Sequence, residues 1–552
     1  MAEITGAALI AKCLKQQGVQ ELFGLVGIPV TEIAKESQAA GIRYIGTRHE
    51  QAAGFAAQAV SYLRGHVGVA LTVSGPGMTN AITALGNAWA NCWPMLLLGG
   101  STHNPFTYKG GFQVAPQLEA ARPFCKWVGQ PASVAELPGL IETAIRTSWY
   151  GRPGPVYIDL PGDIIDGTVE ESSLSYPPRV PPPPRMAAAP ELVAEAVETL
   201  RSAKKPLLIV GKGAAWADAA PEVRRIVEST NIPVLPTPMG KGVVPDDHPS
   251  IVSAARSYAL KNADTILLAG ARLNWILHFG MAPRFNPKVR VVQIDLAQEE
   301  IGTNLPAAVG LTGDLKAVSA QIVAQLEETP WECDPQGEWK QGLAAEVDKK
   351  KGELKAALAS DAVPMEYFRP LQEIQNALPR DAIVVAEGAN TMDISRSVLE
   401  NYEPRKRLDA GSWGTMGAAP GFALASAVVN PKQRVVALMG DASFGFSGME
   451  VEVAVRHRLP ITWIVFTNGG ISSGVGGVPD NGPPPVNTFQ PGARYERIIE
   501  AFGGKGYHCE TPAELAAALK AAFDSGETAF INVAIAPGAK KAPQTYTHWL
   551  SR

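Results

Sequence analysis

The 552 residues carry 49 Lys and Arg against 53 Asp and Glu, for a net charge of −4, and 46% of them are hydrophobic. That balance, with no Lys/Arg-dense block, excludes a nucleic-acid partner from expectation, and no unbroken apolar run is long enough to cross a bilayer. One hydrophobic core cannot serve a chain of this length, so about three domains are expected. The cysteines (Cys13, Cys92, Cys125, Cys333, Cys509) are dispersed with no CxxC pair. This is the usage of reduced, packed thiols in a cytoplasmic protein. The opening "ITGAALIAKCLKQQG" is amphipathic and lacks the charged-then-apolar layout of a secretory signal. The closing "HWLSR" is not a peroxisomal tripeptide.

In chain order, the first segment (1–176) alternates strand-like and helical runs. "HVGVALTVSGPG" reads as a strand, "MTNAITALGNAWANC" as a helix, and "PMLLLGG" and "GPVYIDLP" as further strands. Stacked prolines at 177–190, "PPRVPPPPRMAAAP", form a semi-rigid connector, because proline continues neither a helix nor a central strand. The second segment (191–328) gives a helix, "ELVAEAVETLRSA", and strands "PLLIVGKG", "TILLAGA" and "VRVVQIDL". A charged helical stretch at 329–364 reads as a second connector. The third segment (365–535) supplies strands "AIVVAEGAN", "RVVALMGDA", "ITWIVFTN" and "AFINVAI", followed by a tail at 536–552. Strands alternating with helices predict an α/β protein of three doubly wound domains with mainly parallel sheets.

Three places carry candidate chemistry. Glu50, in "TRHEQAAGFAAQA", opens a small-residue helix. A Glu in a first helical turn is commonly a dipole or capping residue. Among close-packed Ala and Gly it becomes a poorly hydrated carboxyl that can exchange a proton with a heterocycle. In the second segment, "VGKGAAW" with Asp295 ending "VVQIDL" looks like the start of a dinucleotide fingerprint, but Trp216 stands where the third glycine belongs. A lone GxG is a weak signal for an adenine nucleotide.

The third place is "GDASFGFSGMEVEVAVRHRLPITWIVFTNGG". Asp441 and Asn468 end successive strands of a parallel crossover, which sets both at the carboxyl edge of the sheet. Either residue alone is explained by turn preference. Together with the Gly470 carbonyl they form a hard-oxygen set suited to Mg²⁺. Ala442, Ser443 and Gly445 are expected to precede a helix whose N-terminus receives an anion. A metal–diphosphate anchor satisfies all of these parts. There is no HExxH and no clustered Cys/His spacing, so His49 and His457 read as packing or surface residues. No GxSxG elbow supports a serine hydrolase.

Asp441 and Asn468 are 468 − 441 = 27 residues apart. With that spacing and Glu50, the chain resembles the thiamine diphosphate-dependent enzymes of the acetohydroxyacid synthase and decarboxylase group. "GIPVTEIA", "RHEQAAGFAAQA", "TVSGPGMTN", "GRPGPVYIDLP", "GARLNW", "EGANTMD", "GSWGTMG" and "GDASFGFSGME" occur in that group's order. Within it the chain is similar to the 2-hydroxyacyl-CoA lyases, with the oxalyl-CoA decarboxylases next. Phe112-Gln113 is the lyase pair where the decarboxylase pattern has Tyr-Glu.

The resemblance implies pyrimidine-binding, central and diphosphate-binding domains in that order. It implies that Glu50 hydrogen-bonds the aminopyrimidine and exchanges a proton with it, and that Phe112 and Gln113 shape the substrate pocket. Ile28, Asn390, the Gly414 carbonyl, Met416, Ala442, Ser443 and Asn468 would hold thiamine diphosphate, with Mg²⁺ on Asp441, Asn468 and the Gly470 carbonyl. Lys212, Arg272, Asp295 and Asp314 match an ADP site, and Arg256, Arg405, Lys540 and Arg552 would meet coenzyme A, the tail acting as a lid. The group builds its sites across the dimer interface of a homodimer or homotetramer. The implied reaction is reversible cleavage of a 2-hydroxyacyl-CoA to formyl-CoA and an aldehyde or ketone. Rival readings are an oxalyl-CoA decarboxylase, a nucleotide-binding oxidoreductase and a non-catalytic assembly protein. The sequence departs from the group at Thr467, often Asn, and at Ser472 and Ser473, where a Tyr commonly stands.

Overall fold

A computed structural model describes residues 2–472, 474 and 481–538. A short antiparallel pair, β1 (Glu3–Thr5) with β8 (Thr168–Glu170), ties the two ends of the first domain together. Between them lie β2 (Glu21–Gly24), β3 (Arg43–Gly46), β4 (Gly68–Thr72), β5 (Met95–Ser101), β6 (Trp127–Gly129) and β7 (Pro155–Pro161). They form one parallel sheet in the order β3-β2-β4-β5-β7-β6. The second domain has β9 (Pro206–Val210), β10 (Val234–Pro236), β11 (Thr265–Ala269), β12 (Arg290–Asp295) and β13 (Val309–Thr312), in the order β10-β9-β11-β12-β13. The third has β14 (Ile383–Ala386), β15 (Arg407–Asp409), β16 (Val435–Gly440), β17 (Ile461–Thr467), β18 (Lys505–Cys509) and β19 (Ala529–Ala534), in the order β15-β14-β16-β17-β19-β18.

Every pairing within the three large sheets is parallel. Central strands such as "GVALT" and "PVYIDLP" are buried throughout, as strands covered by helices on both faces must be. The first and third sheets repeat one strand order, although no short-period repeat is visible in the sequence. In each, the order reverses beside the first strand of the series, between β2 and β4 and between β14 and β16. Residues just past those strands flank a switch-point crevice, where open α/β sheets take ligands.

The first and third domains meet through two helices. Helix Glu50–Arg64 is buried along most of its length, and helix Ala418–Val429 is apolar on every side. A helix apolar all round belongs in a core. The two cross where Gly421 lies, because a Cβ there would stand 2.7 Å from the Ala52 carbonyl. Phe55 and Phe422 then meet edge to face at 6.1 Å.

Residues 174–189 connect the first two domains without regular structure, as the prolines require. The stretch 329–364, expected to be a connector, includes helix Glu338–Leu358. The start of this helix belongs to the second domain's core. Trp339 and Leu343 are buried there, and the Trp339 indole donates to the Pro206 carbonyl at 2.8 Å. Its remaining turns are charged and largely uncovered, which is why the sequence reads as a linker. Among the described residues no helix is long and apolar enough to cross a membrane.

Candidate functional site

The third-domain crevice gathers Asp441 from the end of β16, Asn468 from the end of β17, and Gly388 and Asn390 from the end of β14. Asp441 is 4% exposed. Its Oδ1 accepts the Ala442 N–H at 2.8 Å and its Oδ2 accepts the Gly469 N–H at 3.0 Å. Burial pushes its pKa above the usual carboxylate range, against the pull of these backbone N–H groups. Among the described residues no cationic side chain pairs with it. A buried carboxylate balanced only by backbone dipoles suits a cation.

Asn468, also 4% exposed, turns its Oδ1 toward the Gly470 N–H at 3.3 Å. Its Nδ2 donates to the Ser472 carbonyl at 3.0 Å, and Asn390 Nδ2 donates to the same oxygen at 3.1 Å. Ser472 therefore contributes its backbone to the crevice, from a left-handed conformation with φ 64°. Thr467 is turned away, its hydroxyl bonded to Asn532 Oδ1. A buried carboxylate beside an amide oxygen supplies two of the hard oxygen donors a divalent cation takes. Among the described residues no group of three His, Cys, Asp or Glu side chains is placed to hold a metal.

Ala442, Ser443 and Gly445 do not precede the helix, as the sequence suggested; they lie inside helix Asp441–Ser447. The helix starts directly at the strand end because Ser443, at its third position, closes on Gly440. The Ser443 hydroxyl accepts the Gly440 N–H at 3.1 Å and donates to the Gly440 carbonyl at 3.0 Å. The expected single helix of the crossover is two, Asp441–Ser447 and Glu450–Arg456, broken at Gly448-Met449.

Glu50 is the first residue of its helix and is 6% exposed. Asn80 Nδ2 donates to its Oε2 at 3.1 Å. Gly77 leaves room for it, since a Cβ there would stand 3.1 Å from Glu50 Oε1. The neighbouring Gln51 amide lies 3.6 Å from where a Cβ on Gly417 would be. Thus the start of the Glu50 helix and the turn carrying Gly414 and Met416 are brought together within one chain. Gly411, Gly414 and Gly417 all have positive φ (64°, 66° and 85°), which this tight turn requires.

Phe112 is 65% exposed and Ile28 70% exposed, both at the rim of the first domain's crevice. Gln113 sits at φ 54°, and its Oε1 accepts the Ser74 hydroxyl at 3.0 Å. That leaves its Nε2 with no protein partner among the described residues.

Two buried carboxylates were missed in the sequence. Glu387, fully buried, accepts the N–H groups of Gly417 and Ala419 and so braces the Gly414–Met416 turn. Glu450, 1% exposed, accepts the Arg48 N–H across the domain contact. Burial pushes each up to about 7. Tyr367 was missed too; buried, it reaches the side chains of Asn390, Thr391 and Asn468. Only Glu387, ending the apolar run "IVVAEG", left a signal in the sequence; Glu450 and Tyr367 end no such run.

A second feature, separate from the crevice, is a cavity of about 760 Å³ where all three domains meet. It is lined by Lys212, Arg272, Asp295, Asp314 and Arg405, so the structure brings together residues expected at two different ligands. Burial, with the Arg272 guanidinium beside it, pushes the Lys212 ammonium down to about 7. Burial raises Asp295. Asp314 caps its own helix and pairs with Arg185 at 2.8 Å. Arg405 is committed to protein: it donates to the Ala215, Trp216 and Leu63 carbonyls and pairs with Asp218 at 2.9 Å. Arg256 does not itself line the cavity but is bonded to the carbonyl of Ile276, which does, at 2.6 Å, and to His278. Lys540, Arg552 and Ser473 lie outside the described residues.

Comparison with known proteins matches all three domains. The N-terminal TPP binding domain of the thiamine pyrophosphate enzymes matches residues 4–120, their central domain 193–322, and their C-terminal TPP binding domain 387–533. A mouse (Mus musculus) protein, "2-hydroxyacyl-CoA lyase 1", is 46% identical, covering 100% of this chain and 97% of its own length. The human (Homo sapiens) protein of the same name is also 46% identical, with the same coverage. "Oxalyl-CoA decarboxylase" of Escherichia coli (strain K12) is 39% identical over 97% of this chain and 95% of its own length.

Proposed function

From the premise that the chain belongs to the thiamine pyrophosphate enzymes, we propose that it cleaves 2-hydroxyacyl-CoA thioesters to formyl-CoA and an aldehyde or ketone, and that it runs the reverse condensation. The observation that carries this reading is the buried Asp441, without a cationic partner among the described residues, beside Asn468 and Gly470 and in a domain packed against Glu50's. When bound, thiamine diphosphate supplies a carbon nucleophile and a sink for the electron pair of the broken bond, and Mg²⁺ ties its diphosphate to protein.

The chain's own residues do the rest. Asp441, Asn468 and the Gly470 carbonyl would hold the metal, and Asn390, Ala442 and Ser443 would lie around the diphosphate. Gly388 leaves space there: a Cβ at that position would stand 3.1 Å from Ser443 Oγ. Glu50 would exchange a proton with the cofactor's aminopyrimidine, and Ile28, Met416 and the Gly414 carbonyl would orient that ring. Gln113, with its oxygen occupied by Ser74, offers N–H donors to the substrate's hydroxyl or alkoxide oxygen without adding charge. Phe112 covers the acyl chain.

The assembly proposed is a homodimer or homotetramer whose subunits cover the crevices. Ile28, Phe112, Trp413, Phe446 and Ile471 support it, being large apolar residues left 46–70% exposed by the single chain. ADP is proposed for the three-domain cavity, supported by Lys212, Arg272 and the buried Asn91 Nδ2, which has no protein partner among the described residues. Lys540 and Arg552 are proposed to meet coenzyme A. A reducing, cytoplasmic setting is proposed from five free cysteines.

The test supplies oxalyl-CoA and 2-hydroxyacyl-CoA separately and compares kcat/KM. A site built to hydrogen-bond a hydroxyl rejects an analogue lacking it by up to roughly 10⁴-fold. Preference for oxalyl-CoA, with no carbonyl product from any 2-hydroxyacyl-CoA, assigns the decarboxylase reaction instead.

A further inference from the structure

We propose that Glu450 is a positioning residue for Glu50: the crossover that begins at Asp441 fixes the backbone immediately before Glu50. This rests on the reading that Glu50 exchanges a proton with bound thiamine diphosphate.

Glu50 itself makes few contacts able to aim its carboxylate. Among the described residues, its side-chain hydrogen bond is the one from Asn80. Its direction is therefore inherited from the segment 46–49, which enters the helix through His49 in an extended conformation (φ −147°, ψ 141°). That segment is held on two sides. On the first-domain side, the Thr47 N–H donates to the Gly24 carbonyl at 2.9 Å, and the Thr47 hydroxyl donates to the His49 carbonyl at 3.0 Å.

On the third-domain side, helix Glu450–Arg456 grips the same segment by its backbone. Glu450 Oε1 and Oε2 accept the Arg48 N–H at 3.1 and 3.2 Å. Arg456 donates to the Gly46 carbonyl and is steadied by Glu452, with Nε to Oε1 at 2.9 Å. Because these contacts go to backbone atoms, they fix where the helix starts whatever side chains occupy 46–49.

A buried carboxylate is costly to keep, and a neutral residue filling the same space would glue two domains together equally well. Two acceptor oxygens converging on the Arg48 N–H, with Arg456 on the Gly46 carbonyl, give something more, a defined angle of entry. The crossover that carries Asp441 at one end thus sets the geometry of Glu50, and a misplacement of about 1 Å in a catalytic group costs on the order of 100-fold.

The experiment uses the full-length protein with thiamine diphosphate and Mg²⁺. Glu450→Gln keeps the size but turns an N–H₂ toward backbone donors. Expected are a fall of roughly 10- to 100-fold in cofactor C2 hydrogen–deuterium exchange and in kcat, with cofactor affinity unchanged. In the cofactor-free variant, the Arg48 amide should exchange with solvent faster than in the parent. The deciding comparison is the Glu50→Gln background, where adding Glu450→Gln should slow C2 exchange no further. An equal, additional fall there, or no fall in the single variant, overturns the positioning role. Should Glu450→Gln fail to fold, Arg456→Gln removes the other grip and must give the same non-additive pattern. If the parent exchanges its cofactor proton but yields no carbonyl product from 2-hydroxyacyl-CoA, the substrate reading fails and the positioning role stands. A parent that binds no thiamine diphosphate removes both.

Discussion

Glu387 accepts the N–H of Ala419 at 2.6 Å, from a carboxylate that no solvent reaches. It also takes the Gly417 N–H, so it caps the helix Ala418–Val429 and holds the turn that presents Gly414 and Met416. Burial lifts its pKa from the ordinary 4.5 to about 7, against the pull of those N–H groups. The folded state therefore binds a proton that the unfolded chain releases between pH 4.5 and 7. The sign follows: this group's stabilising contribution is fully present below 4.5 and is lost as pH rises through 7. Its size is at most about 3 kcal/mol. Chemical denaturation from pH 5 to 8 should show stability falling less steeply in Glu387→Gln than in the parent. Glu387→Ala, which strands two buried donors, should cost about 2–4 kcal/mol at any pH in that range.

Asp441→Ala removes the charged member of the metal set. Outer partners of metal ligands commonly cost about 10–100-fold in affinity when lost, so a direct ligand should cost at least as much. Thiamine diphosphate titration should show that loss, with circular dichroism unchanged. Binding as tight as the parent's would remove Asp441 from the metal site.

Glu50→Gln preserves the shape and the Asn80 contact but not the exchangeable proton. General acid–base help of about 10²–10⁴-fold should disappear. The direct measurement is C2 hydrogen–deuterium exchange in the bound cofactor. Unchanged exchange would take the proton-transfer role away from Glu50.

The subunit arrangement is open to a mixing experiment. Glu50→Gln and Asp441→Ala chains are each expected to be inactive. If sites are shared between subunits, co-refolding them should restore activity to about a quarter of the parent's sites, the fraction expected when random pairing of two chains assembles one intact site per mixed dimer. Mixtures that stay inactive would show that Glu50 and Asp441 serve one site within a single chain, where their domains already touch.

Much of the fold was legible in the sequence. The central strands, "GVALT", "MLLLGG", "VVALMG" and "ITWIVFT", are buried on both faces and read as unbroken apolar runs. The strands that passed unread are mostly short or at sheet edges. Trp127–Gly129 and Lys505–Cys509 lie at edges, half-buried, and Val234–Pro236 and Arg407–Asp409 are three residues each. An edge strand is covered on fewer sides, so selection for an apolar run there is weak.

The sequence by itself determined three α/β domains and the Asp441–Asn468 pair, because strand period, turn residues and motif spacing are set by near neighbours along the chain. Tertiary structure alone decided what surrounds them. Glu387 meets the turn 30 residues on, and Glu450 meets Arg48 across 402 residues. Lys212, Arg272 and Arg405 converge on one cavity from two domains. A buried carboxylate and the backbone N–H it accepts leave no local pattern, since any residue other than proline supplies the donor. Only the packing of one domain on another selects which N–H it will be.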